Sequence, residues 1–477
     1  MRPIHNSTSR DVFFMILFLM LLLSNHSNGQ IKLDKQKLNK ITSPGFIQRT
    51  MHLLAESTPK KRNTVRILIY GQSLSAQDWW LQVKEHLEAQ FPDANLIMDN
   101  KAIGGFSSEI LIKTVKRDIL NFYPDLVIFH VFGSDLYYEQ VLIQMRSLSS
   151  TEIVIWNDPQ NNPEPNEWHE EMSYQIIPSL AVKYKCMLID IRTPIRELVK
   201  KQDLIYADEF TRDGTHFNEK GCELIANQII PHLVFDKNYK SDPDGLLKTF
   251  EVGLDVRWDN GALILPFVGN RIDVITPPSP ATRNNCSVFI DGKKPSEFPE
   301  TYNFTRPNDN GEKGWIWSVG APVRIRRKAP WINENFTLTF DSINYDTRFF
   351  TFHVEGSECG YEGSGNNRQD FLSNSGRVFI QANEVNDSIP GDWHVFRTFD
   401  ITRFKVEKGY KTTWNTYLMG MDMFTPGNAP DKTIENVTTL FKGIHNGNHT
   451  LKLTCNGTGT PDITFIKVYK PFLADKR

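Results

Sequence analysis

A serine, a histidine and a carboxylate at turns flanking regular elements are the residues of this 477-residue chain that could do chemistry together. Ser73 stands in Gly71-Gln72-Ser73, directly after the apolar run Val65-Arg66-Ile67-Leu68-Ile69-Tyr70, and His216 closes Asp213-Gly214-Thr215-His216 far downstream. A serine hydroxyl is a weak nucleophile near neutral pH. It needs an imidazole to take its proton and a carboxylate to orient and stabilise that imidazole. Asp213 lies close enough in sequence to reach one ring nitrogen while the other faces Ser73. The residue types therefore predict acyl transfer, with Ser73 as nucleophile, His216 as base and then acid, and Asp213 as the orienting group. Each half alone has an ordinary reading: a serine that caps a helix, although Ser75 with Asp78 is the better cap, and an Asp-Gly turn ahead of a helix opened by Asn218.

The elements that must position these residues follow from the apolar pattern. Strands are predicted at Arg66–Tyr70, Asn95–Met98, Asp125–Val131, Glu152–Trp156 and Met187–Ile191. Helices are predicted at Gln77–Gln90, Ser108–Asn121, Leu136–Ser147, Glu167–Tyr184, Ile195–Lys201 and Glu219–Leu233. Val-, Ile- and Leu-rich strands alternating with helices predict a three-layer, doubly wound parallel sheet, an α/β fold, over residues 63–238. Ligands in such sheets bind beyond the carboxyl ends of the strands, where Ser73 falls. His130, inside a strand, and Trp79-Trp80, one turn into a helix, read as core. The loop from Asp158 to Pro165 follows the fourth strand and could form a substrate rim. From 239 to 477 helical periodicity gives way to short aromatic and β-branched runs between Asn, Asp, Gly and Pro, which predicts a C-terminal all-β sandwich region of one or two modules. It holds Trp258, Trp315, Trp317, Trp331, Trp393 and Trp414, most of them expected in its core.

Gly71-Gln72-Ser73-Leu74-Ser75 resembles the first block of the SGNH, or GDSL-type, hydrolases. Asn100-Lys101-Ala102-Ile103-Gly104-Gly105 is similar to that family's Asn-x-x-x-x-Gly turn after the second strand, and Asp213-x-x-His216 to its final block. The resemblance covers about a third of the chain. It implies an esterase site in which the backbone N–H groups of Ser73 and Gly105 hold the oxyanion. Two positions depart from the family pattern: Gln72 replaces the usual aspartate, and the third block, normally Gly-x-Asn-Asp, reads Gly133-Ser134-Asp135-Leu136. Ser134 or Asp135, depending on register, stands where an oxyanion-binding asparagine belongs. An ionised Asp135 would repel the developing charge, and loss of one donor typically costs about 10² to 10³ in rate.

Composition bounds the remaining choices. Lys and Arg total 54 against 56 Asp and Glu, a net charge of -2, and no basic stripe is interleaved with aromatics, so nucleic acid is not an expected partner. Arg2 and Arg10, the apolar run Val12–Leu23, and Ser27 and Gly29 ahead of Gln30 read as a signal peptide over 1–29, followed by a polar lead-in over 30–62. The run is short for a bilayer, which needs roughly 20 apolar residues, so no stable membrane anchor is expected and the protein should be secreted or extracytoplasmic. Of the 5 cysteines, two among Cys286, Cys359 and Cys455 are the expected disulfide partners; their spacing matches no zinc site. Asn-x-Ser/Thr acceptors stand at Asn285, Asn303, Asn335, Asn386, Asn436, Asn448 and Asn456. A serine triad needs neither metal nor cofactor. The expected substrate is an acylated carbohydrate, an acetyl ester first. The alternatives are a lipid or thioester acyl hydrolase, for which the sequence has no long apolar lid segment, and a catalytically degenerate carbohydrate-binding or adhesion protein.

Overall fold

Five short apolar runs become five parallel strands: β1 (Thr64–Gly71), β2 (Asn95–Asn100), β3 (Leu126–His130), β4 (Glu152–Trp156) and β5 (Met187–Ile189). They are seen in a computed structural model that describes residues 41–159, 166–308, 320–382, 391–455 and 459–474. The expected leader and the lead-in up to residue 40 lie outside the described residues, as do Trp315, Trp317, Asn386 and Asn456. The strand order is β2-β1-β3-β4-β5, every pairing parallel. The chain thus leaves β1 to one side for β2 and to the other for β3. That switch opens a crevice at the carboxyl ends of β1 and β3.

β3 and β4 are buried along their whole length, which requires cover on both faces. One face sends Ile67, Ile69, Ile128 and Val154 into a core with α1 (Gln48–Ala55), α2 (Trp79–Gln90), α8 (Arg192–Gln202) and α10 (Glu219–Ile229). The other sends Leu68, Tyr70, Val127 and Ile155 against α3 (Ser108–Leu111), α4 (Val115–Phe122), α5 (Asp135–Leu148) and α7 (Ile177–Tyr184). Successive strand residues pointing to opposite faces produce this division. Trp79, Trp80 and His130 are buried, as their positions predict.

Three stretches depart from the predicted elements. The helix expected over Ser108–Asn121 is two, α3 and α4. The long helix expected at Glu167–Tyr184 is α6 (Glu167–Glu171), a π-turn over Met172–Ile176, and α7. Pro178 has no N–H to give the carbonyl four residues back, and the wider turn falls where that bond is missing. The solvated lead-in expected to residue 62 needs correction: Ile41, Ile47, Met51 and Leu54 are core, and α1 lies against the sheet's amino-terminal edge. Its polar residues are buried because they satisfy other groups: the N–H groups of Arg49 and Thr50 donate to the Glu152 carboxylate at 3.0 and 2.8 Å, and the Arg49 guanidinium donates to the carbonyls of Asp125 and Ser150.

The β-rich half holds two antiparallel sheets, each with its own core. In the first, the long strands β8 (Ala262–Thr276) and β18 (Asn436–Cys455) pair at the centre, flanked by β9 (Cys286–Ile290) with β17 (Met423–Phe424) on one side and β19 (Phe465–Tyr469) with β6 (Leu247–Glu251) on the other; β7 (Trp258–Asp259) pairs with β8. Cys286 and Cys455, cross-strand neighbours in β9 and β18, form a disulfide. The second sheet is nested: β9 and β17 pair with each other, yet the chain between them builds β10 (Tyr302–Phe304), β11 (Glu334–Asn344), β12 (Phe349–Gly356), β13 (Gly360–Asn366) and β16 (Lys411–Leu418) in the order β10-β16-β11-β12-β13. The same stretch includes the pair β14 (Phe371–Leu372) and β15 (Phe379–Ile380) and helix α11 (Val395–Thr402). Trp331, Trp393 and Trp414 are buried in the nested core; Trp258 is half-buried. Asn303 is buried and donates to the Arg117 carbonyl at 3.1 Å, leaving no room for a glycan, whereas Asn285, Asn335 and Asn448 are exposed.

Candidate active site

Ser73 owes its position to Gly71. That glycine has φ 144°, and a Cβ on it would stand 1.8 Å from the His130 carbonyl oxygen, so only glycine lets β1 and β3 approach this closely. The same carbonyl accepts from Gln72 N–H at 3.3 Å and from Ser75 Oγ at 3.1 Å. Ser75 is therefore a buried tie to β3 and not the cap of α2, whose N-cap is Asp78 without a side-chain bond. The Ser73 carbonyl is taken by Ala76 N–H and the Gln77 amide. The half-buried Ser73 hydroxyl donates to Gln72 Oε1 at 3.3 Å.

The histidine loop is closed by a bridge between Thr211 and Phe217, by Arg212 N–H on the His216 carbonyl at 2.7 Å, and by Asn218, which caps α10 through Gly221 N–H at 2.9 Å. Within it, Asp213 Oδ1 accepts from the N–H groups of Thr215 (3.1 Å) and His216 (2.8 Å), and Oδ2 from His216 Nδ1 at 2.7 Å. Burial is the largest single influence and pushes the Asp213 carboxyl up. The hydrogen bonds from His216 N–H, its imidazole and Thr215 N–H together outweigh it and hold the group at about 2. A carboxylate at Nδ1 fixes the proton there and leaves Nε2 as an acceptor. Asp213 and His216 are thus brought together. Their loop opens α10, which shares a core with α2 through Ile225, Phe217, Trp79 and Val83, so the serine turn and the histidine loop precede neighbouring helices. No hydrogen bond joins Ser73 to His216; the hydroxyl is turned to Gln72.

The turn after β2 is sewn to the serine turn. Asn100 Nδ2 donates to the Ser75 carbonyl at 2.8 Å, its Oδ1 accepts from Ala102 N–H at 2.9 Å, and Ile103 N–H donates to the Gly71 carbonyl at 2.9 Å. Gly105 follows with φ 67°. Among the described residues neither the Ser73 nor the Gly105 N–H bonds to another protein group. The third block differs. Gly133 has φ 133°, and a Cβ there would stand 2.5 Å from Ser108 Oγ. Ser134 N–H donates to Glu109 Oε1 at 2.9 Å, its carbonyl accepts from Ser108 Oγ at 2.9 Å, and its hydroxyl reaches only Asp135 Oδ1 at 3.5 Å. Burial pushes the Glu109 carboxyl up, but hydrogen bonds, including those from Ser107, Ser134 and Ser108, win and hold it below its ordinary range. Asp135 is exposed at the start of α5. A fixed carboxylate thus occupies the Ser134 N–H.

Sequence reasoning missed Glu109 and a cluster at the carboxyl ends of β3 and β4. There the buried Asp158 carboxylate lies 3.1 Å from His130 Nε2 and 3.3 Å from His169 Nδ1. Burial pushes Asp158 up, while the two imidazoles pull it well below the usual carboxylate range. Phe132, 43% exposed, packs on Trp168 with ring centroids 4.6 Å apart. The expected rim from 160 to 165 lies outside the described residues. Among the described residues no group of three or more His, Cys, Asp or Glu is arranged to hold a metal ion, and no helix is long and apolar enough to cross a membrane.

No protein-family model and no curated protein sequence matches the chain. Solved structures with a similar chain path include a two-domain esterase active on acetylated mannans, 14% identical over 92% of this chain and 100% of that one, with a TM-score of 0.37. A protein described as a GDSL-like lipase from Parabacteroides merdae is 16% identical over 37% of this chain and 98% of its own, at 0.30. An acetylxylan esterase from Geobacillus stearothermophilus is 15% identical over 37% and 97%, at 0.31. At such identities and scores these are likenesses of chain path, and the chemistry of the site is read from its own distances.

Proposed function

We propose that this protein is a serine esterase that removes acyl groups, acetyl first, from a carbohydrate. The observation that carries the reading is the Asp213–His216 pair at 2.7 Å, with Nε2 left as acceptor on a loop whose following helix packs with the helix that follows the Ser73 turn. Ser73 Oγ attacks the ester carbonyl as its proton passes to His216 Nε2; the N–H groups of Ser73 and Gly105 hold the oxyanion; His216 returns the proton to the leaving alkoxide. Water, activated by the same imidazole, then releases the acid and restores Ser73. To begin, the hydroxyl must leave Gln72 Oε1. That bond is long, and exchanging it costs on the order of 1 kcal/mol. The exposed Phe132 on Trp168, at the end of the strand next to β1, suits the apolar face of a sugar ring.

The geometry of the third block favours a second reading, a degenerate site that binds carbohydrate without hydrolysing it: Ser134 N–H is occupied by Glu109, and Ser73 is hydrogen-bonded to Gln72. Hydrolysis of an aryl acetate separates the two. Wild type should turn it over and Ser73→Ala should not. Acetate release from acetylated manno- or xylo-oligosaccharides, against no release from long-chain acyl esters, then places the substrate. Absence of Ser73-dependent turnover on every acyl ester would leave only the binding reading.

A further inference from the structure

The turn that carries Gly105 is tied to its own domain on either side of the glycine: Ile103 N–H donates to the Gly71 carbonyl, Ser108 N–H to the Phe132 carbonyl, and Phe106 belongs to the core against the sheet. At Gly105 itself the turn is met by the nested part of the β-rich half. Arg397, in α11, donates from Nη2 to the Gly105 carbonyl at 3.2 Å across 292 positions of sequence. Phe106 and His394, both buried, pack with ring centroids 5.3 Å apart. Lys113, just past α3, donates from Nζ to the Gly391 carbonyl at 2.7 Å. Two adjacent residues of the turn and one residue past α3 are thus met by one short segment of the other half.

The restraint falls where the backbone is freest. Gly104 and Gly105 adjoin, Gly105 is at φ 67°, and neither has a side chain to limit rotation of the peptide between them. The direction of the Gly105 N–H is set by that peptide. Oxyanion stabilisation depends on donors aimed in advance at the position the charge will occupy. A guanidinium on the Gly105 carbonyl, with Phe106 wedged against His394, fixes the following peptide and so limits how far the glycine pair can turn.

We propose that Arg397 is a positioning residue that holds the Gly105 N–H toward the oxyanion, so that the site is completed by the β-rich half. This rests on the acyl-transfer reading above. The test uses the full chain and an aryl acetate, with an arylboronic acid as a reversible mimic of the tetrahedral adduct. Arg397→Ala, exposed and expected to melt as wild type does, should lose roughly tenfold in kcat with KM within about twofold, a fraction of what removal of an oxyanion donor costs. Boronate inhibition should weaken in the same proportion, and Arg397→Lys should recover part of both. Wild-type kcat and boronate affinity in Arg397→Ala, or a loss confined to KM, would overturn the positioning role while the esterase reading stands. A wild type without Ser73-dependent turnover would sink both.

Discussion

At the scale of single residues, the site turns on how many acceptors Asp213 presents. One oxygen takes two backbone N–H groups and the other takes the imidazole, so the carboxylate both shapes the loop and selects the tautomer. An amide has one acceptor oxygen. In Asp213→Asn that oxygen serves either the loop or Nδ1, and in the first case the amide N–H₂ meets the ring and drives its proton to Nε2, the wrong place for a base. The variant should fold, because the pair is largely exposed, and should lose about 10³ to 10⁴ in kcat on an aryl acetate. A kcat within tenfold of wild type would remove Asp213 from the mechanism. The pH profile follows from the same contacts. A carboxyl held at about 2 is a depressed group, so its contribution is present at neutral pH and lost only as pH falls through about 2. An inflection of kcat/KM assignable to Asp213 above about pH 3 would contradict the geometry.

At the scale of elements, the crevice depends on how closely β1 and β3 approach at their carboxyl ends. Gly71→Ala would place a methyl 1.8 Å from a backbone oxygen at a φ that side chains rarely adopt, and the oxygen cannot move without breaking its bonds to Gln72 and Ser75. The expected result is a loss of at least about 3 kcal/mol in denaturant unfolding together with loss of turnover. A variant as stable as wild type would show that the approach is not tight. These elements were legible in sequence because their signal is local: the five strands fall within a residue or two of the apolar runs, and Ser73, Gly105, Asp213 and His216 stand at turns that those strands and helices dictate. What was not legible depends on partners distant in sequence. Helix α1 reads as a polar segment because Gln48, Arg49 and Thr50 find their acceptors and donors on residues 76 to 188 positions away. Glu109 looked like an ordinary residue in the first turn of a helix until Ser134, 25 positions on, was seen to donate to it. The nesting of one sheet between β9 and β17 is a matter of register between strands that share no local pattern.

At the scale of the whole molecule, the two halves are tied by buried polar contacts concentrated on α4 and the residue that follows it. Arg306 from the nested part joins Arg117 on the buried Asp118 carboxylate, with contacts of 2.8 to 3.3 Å. Asn121 Nδ2 donates to the Phe304 carbonyl at 3.0 Å, and Tyr123 donates to Asn270 at 3.0 Å. Against these satisfied groups His394 is the exception: it is 2% exposed and neither ring nitrogen has a hydrogen-bond partner. Burial is the main cause, and the cations of Lys113 and Arg397 add to it, in pushing its imidazole down from 6.5 to about 3. The sign is that of a depressed group. In the unfolded chain His394 takes up a proton below about 6.5 and in the folded chain it does not until about 3, so stability is full above 6.5 and drains away as pH falls between those values. At pH 4 the loss attributable to this one residue is about 3 kcal/mol. His394→Phe keeps the ring against Phe106 and removes the titration. Its unfolding free energy, measured in urea at pH 7 and pH 4, should fall by about 3 kcal/mol less between the two than that of wild type. Equal pH slopes for the two proteins would show that acid reaches this interface through another group, with the Asp118 carboxylate between its two arginines the next to examine.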